Sequence, residues 1–131
     1  MDILIQVSSG YVDTIMPSLI MASRLKSEGT DVTVFFEWRA LVAFAEQKFE
    51  YSPSVAKYAV TIEENARKMG VPIDPMYLLK GAKAAGIPIY GCAVEASLAG
   101  ITEMVPPEIQ LMEEKDLSKP LLEAKKIVSG F

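Results

Sequence analysis

The chain has 131 residues, 50% of them apolar and 23% charged, which suits one packed domain spanning 1–131 and leaves no room for a second. It contains no histidine and a single cysteine, Cys92, so imidazole-based triads and general bases, most zinc sites, an internal disulfide and a CxxC redox pair are all excluded. Seventeen acidic against thirteen basic side chains give a net charge of -4, which argues against nucleic acid or an anionic membrane as a partner.

The first predicted element is a buried strand, Ile3-Leu4-Ile5-Gln6-Val7, closed by Ser8-Ser9-Gly10. Ile15, Leu19, Ala22 and Leu25 then recur at helical spacing, with Gly29 placed as a C-terminal cap. Asp31 leads into a second strand, Val32-Thr33-Val34-Phe35-Phe36, completing a βαβ unit that crosses over right-handed onto a parallel sheet. Trp38, Leu41, Val42, Ala45 and Phe49 share one helical face. Ser52-Pro53 offers the N-cap and first turn of a further helix carrying Val55, Tyr58, Ala59, Ile62, Ala66 and Met69.

Asp74 and Pro75 open a third helix in this stretch, which Gly86 closes, and Ile87-Pro88-Ile89-Tyr90-Gly91 follows as the third strand. Beyond Cys92 the run Ala93 to Leu98 is helical and stops near Gly100. Pro106-Pro107 forbids continuation, so Ile109 to Met112 is the predicted fourth strand, and Leu121, Ala124, Ile127 and Val128 mark a final helix. Strands alternating with helices predict a three-layer α/β/α sandwich with a mainly parallel sheet of four to five strands, flavodoxin-like in general character. No apolar stretch approaches the roughly 18 residues of a bilayer span. Met1-Asp2-Ile3 lacks the basic lead of a secretory signal, and a cytoplasmic location is expected.

Ligands in such sheets gather beyond the carboxyl ends of the strands, where the winding reverses. If the first strand is central and the third lies beside it, Ser8, Ser9 and Gly10 neighbour Gly91 and Cys92, with Tyr11 and Glu37 as further lining residues after strand ends. A cysteine between a strand end and a helix start sits among unpaired N–H groups that favour the thiolate. Glu95 opposes this, unless it folds back onto the N–H of the capping residue. With no second cysteine, any sulfur adduct on Cys92 is discharged by an external thiol. Two other readings stay open. A free cysteine is commonly a buried, inert hydrophobe, which leaves an assembly or binding module whose aromatic helices are core or subunit interface. Ser8-Ser9-Gly10 is also placed to cradle a phosphate, as in a flavodoxin-like nucleotide binder, although it matches no phosphate-loop fingerprint. Glu103 and Glu108 flank a proline turn without the spacing of a cation site. No metal or cofactor is expected.

The stretch from Leu78 to Cys92, with Gly81, Gly86 and Gly91, then Ala93 to Leu98 and Gly100-Ile101, resembles the signature region of DsrE/DsrF-like proteins. There, a helix, a glycine and a strand lead to a cysteine, followed after a short helix by Gly and an aliphatic residue. Asp31 to Leu41 is similar to the second strand and the hydrophobic segment after it. Some members carry Ser or Thr three residues after the cysteine, where this chain has Glu95. The resemblance implies a DsrEFH-like fold and a sulfur carrier or sulfurtransferase-like protein without conventional turnover. Cys92 would hold a persulfide or thiosulfonate and exchange it with a TusA-like or rhodanese-like partner. It also implies a homo-oligomer: a dimer, trimer or hexamer.

Overall fold

The computed structural model describes residues 1–131. The β-branched runs at the start form β1 (Ile3–Val7) and β2 (Val32–Phe36), joined by α1 (Val12–Ser27), which ends at the left-handed Gly29. Then come α2 (Trp38–Glu46), α3 (Ala59–Met69), α4 (Pro75–Ala84), β3 (Ile89–Cys92), α5 (Ala93–Ala99), β4 (Gln110–Met112), α6 (Lys119–Glu123) and β5 (Lys126–Val128). Asp74 caps α4 as predicted, its carboxylate accepting the N–H of Met76 at 3.1 Å, with Pro75 in the first turn. The five strands are all parallel in the order β4-β3-β2-β1-β5.

The winding steps from β1 to β2, β3 and β4 in one direction and then returns to the far side of β1. Right-handed crossovers therefore put the helices of the first three connections on one face and α6 on the other. The main core lies on the first face, where Ile5, Val7, Val34 and Phe36 pack against Ile15 and Leu19 of α1, Leu41 and Phe44 of α2 and Leu79 of α4. Because strand side chains alternate, Leu4, Phe35, Tyr90, Cys92 and Met112 fall on the second face. Only Leu117, Ala124 and their neighbours around α6 cover it. The three-layer α/β/α sandwich is present, with one thick outer layer and one thin one.

Three expectations are corrected. The final helix is five residues long and stops at Ala124, because Ile127 and Val128 pair with Leu4 and Ile5 as β5; a free ladder edge on β1 outweighs helical spacing. Ser52 does not cap the next helix. Its N–H and hydroxyl both donate to the Asp13 carboxylate, at 2.8 and 2.6 Å, and α3 starts only after a 3-10 turn at Ala56–Tyr58. The apolar face assigned to α3 is covered only in part: Val55, Ala59, Ile62 and Ala66 are half-buried, while Tyr58 is 55% and Met69 74% exposed. No helix is long and apolar enough to cross a membrane.

Candidate functional site around Cys92

Cys92 is both the last residue of β3 and the N-cap position of α5. The parallel register sets Phe36 of β2 opposite Gly91, so one step on, Glu37 follows beside Cys92. Period-two alternation aims both side chains at the thinly covered face. Gln6 of β1 and Phe35 of β2 share that face. Together these residues line a cavity of about 170 Å³ that opens to the surface, with Leu4, Phe35, Leu117, Pro120 and Leu121 as apolar walls and Gln6, Glu37 and Glu95 as polar ones. Cys92 is 5% exposed and makes no disulfide, and its sulfur has no hydrogen-bond partner in the chain. The thiol is thus nearly buried, yet it lines a cavity with polar walls.

Glu95, in the first turn of α5, does not fold back onto its own capping residue. Its Oε1 accepts the N–H of Trp38 at 2.6 Å, tying α5 to the first residue of α2. Trp38 has φ +34°, in the left-handed region that side chains other than glycine rarely adopt, and is 48% exposed. The carboxylate therefore holds a strained turn, a form of strain that clusters at functional sites. Glu37, at that same turn, is held above the usual carboxylate range, first by burial and then by the charge of Glu95. Gln6 Nε2 donates to Glu37 Oε1 at a long 3.4 Å. Two carboxylates thus flank one thiol, and the one beside it in the sheet is biased toward binding a proton.

The remaining predicted residues lie elsewhere, because the third strand is not beside the first. With β2 between them, the ends of β1 and β3 are two strand spacings apart, about 10 Å. The N–H groups of Ser8 and Ser9 donate to the main-chain oxygen of Phe131 at 3.1 and 3.3 Å, and Ser9 Oγ accepts from Thr14 Oγ1 at 2.9 Å. Two of the main-chain donors proposed for a phosphate are therefore already engaged. Gly10 serves a close approach: a Cβ there would stand 2.6 Å from the carbonyl oxygen of Arg39. Gly10 and Tyr11 join Trp38, Arg39 and Lys48 around a separate cavity of about 370 Å³, which is roomier than that of Cys92 but has no thiol in its lining. Gly91 also leaves the site, since its Cα faces the main core, where a Cβ would meet Leu41 Cδ2 at 2.6 Å.

Of the predicted residues, Glu37 and Glu95 are brought to Cys92, and Ser8, Ser9, Gly10, Tyr11 and Gly91 are not. Leu4, Gln6, Phe35 and the 117–121 segment were missed. Gln6 carried a signal, as the one polar side chain in an otherwise apolar strand. The 117–121 segment carried none, because its place depends on the return of β5 to β1. Among the acidic groups set aside earlier, Glu103 is exposed, and no cluster of three potential metal ligands forms anywhere in the chain.

No protein-family model matches the chain, and none of the curated proteins does. Among solved structures, the crystal structure of the YchN protein from E. coli matches with a TM-score of 0.70 at 15% sequence identity, covering 99% of this chain and 99% of that one. At that identity the likeness establishes the shared fold.

Proposed function

We propose that the chain is a DsrE/DsrF-like sulfur carrier of the cytoplasm, which accepts sulfane sulfur on Cys92 and passes it to the thiol of a partner protein of the TusA-like or rhodanese-like kind. The observation that carries this reading is the unpaired, nearly buried sulfur of Cys92 lining an open cavity beside two carboxylates. The fold shared with YchN agrees with the sequence resemblance around Gly91-Cys92. Attack by the Cys92 thiolate forms a bond to the sulfane sulfur and breaks the donor's sulfur–sulfur bond. Glu37 takes the thiol proton and returns it to the leaving sulfur. As the chain has no resolving cysteine, the persulfide waits for an external thiol. Homo-oligomeric assembly belongs to the same proposal, supported by the uncovered apolar side chains of α3.

The test is intact-mass measurement after incubation with a sulfane donor, followed by addition of a thiol, on the wild type and on Cys92→Ser. The expected result is a gain of one sulfur atom on the wild type alone, reversed by the thiol. The same gain on Cys92→Ser contradicts the proposal.

A further inference from the structure

The cavity has a charge pattern that restricts what can reach the sulfur. Its ionisable lining groups, besides the thiol, are Glu37 from β2 and Glu95 from α5; β1 contributes the neutral Gln6, and the segment around α6 contributes only Leu117, Pro120 and Leu121. No lysine or arginine lines it. The nearest cation along the chain, Lys119 beside Pro120, is engaged by Asp116 at 2.8 Å. A sulfonate-bearing sulfur held here would be stabilised by a cation, and the free N–H donors at hand are only those opening the seven-residue α5, whose first turn carries the Glu95 carboxylate. The N–H of Trp38, which points toward the site, is already taken by Glu95. Apolar walls and a low local dielectric strengthen the repulsion between these carboxylates and any anion drawn in beside them.

Building on the sulfur-carrier reading, we infer that Cys92 takes sulfur from an uncharged or cationic sulfane donor, such as an organic persulfide in its protonated form or a dialkyl polysulfide, and that the Glu37–Glu95 pair excludes thiosulfate, polythionates and other anionic donors. The adduct is therefore a persulfide and not a thiosulfonate. For an organic persulfide the step balances as Cys92–SH plus R–S–SH giving Cys92–S–SH plus R–SH. The bond from Sγ to the outer sulfur forms and the R–S to outer-sulfur bond breaks. The thiol proton passes through Glu37 to the departing R–S, and no net oxidation occurs. Gln6, which donates to Glu37, is a positioning residue in this step.

The test uses the full chain and two readouts. In the first, symmetric disulfides of similar size that are cationic (cystamine), neutral (2-hydroxyethyl disulfide) or anionic (3,3'-dithiodipropionate) react with Cys92 under pseudo-first-order conditions, each rate divided by that of a free small thiol. The normalised anionic rate is expected to fall below the neutral one by at least about fivefold, the effect of unit charges about 4 Å apart in bulk water. The gap should shrink in Glu37→Gln and in Glu95→Gln, and with added salt. The second readout is mass gain on Cys92 from a dialkyl trisulfide compared with thiosulfate and tetrathionate. Loading by the trisulfide alone is the expected result. Equal loading by neutral and anionic donors overturns the charge selection while leaving sulfur carriage intact. Absence of loading by every donor overturns both. The wild-type comparison stands without either variant, so a variant that fails to fold does not protect the inference.

Discussion

At the scale of single residues, Glu37 connects the fold to the chemistry. Its carboxyl is held above the ordinary value of 4.5 by burial and by Glu95. In the window between the ordinary and the raised value the folded state binds more protons than the unfolded one, so stability falls as pH rises through that window. Below it both states are protonated and the penalty is absent. Glu37→Gln is therefore expected to be more stable than the wild type at neutral pH and to lose that advantage near about pH 4, as read by urea unfolding at the two pH values. An unchanged difference across them contradicts the assignment. Gly91 makes a separate prediction. A methyl group there runs into Leu41 and Ile109 on the face opposite the thiol, so Gly91→Ala costs about 1–3 kcal/mol through overpacking. Denaturant midpoints measure that cost, and an unaffected midpoint would place the glycine at the site after all.

At the scale of elements, the sequence foretold what local chemistry decides and missed what distant pairing decides. β1, β2 and α4 are legible because β-branched runs and the Asp74-Pro75 start act within a few residues. The Cys92 strand end and the following short helix are legible for the same reason. Ser52 was misread because its polar groups are used by Asp13, thirty-nine positions away. Burial of Asp13 opposes its ionisation, but the two bonds from Ser52 outweigh it and keep that carboxyl below its ordinary 3.8. Its contribution is present above that value and fades as pH falls through the lowered one. Asp13→Ala is expected to destabilise the chain by about 1–3 kcal/mol and to raise the rate of proteolytic cutting between α2 and α3. A cutting rate equal to wild type would mean the bonds do not fasten that segment.

At the scale of the whole molecule, strand order decides the site. Fold rules point to the carboxyl edge of a parallel sheet, but the loop after β1 reaches Cys92 only if β3 adjoins β1. With β2 in between, that loop joins another cavity and Glu37 takes its place beside the thiol. The same order leaves one sheet face thinly covered, and this is what gives a nearly buried cysteine an opening. Meanwhile α3 and the turn before it expose Tyr58, Val60 and Met69 to solvent. Assembly through this helix predicts a sedimentation mass that is a multiple of the monomer, reduced in a Val60→Asp, Met69→Asp double variant. A monomer at micromolar concentration contradicts it.

The central claim is that the Cys92 sulfur is reachable in the folded chain. The direct measurement is its alkylation rate by iodoacetamide near neutral pH, set beside the rate for the same chain in denaturant and beside the independently measured rate of global unfolding. The account predicts native alkylation well ahead of unfolding and only modestly slower than in denaturant. Alkylation that proceeds no faster than the protein unfolds would show the thiol sealed in the sheet and would contradict the proposed sulfur carriage.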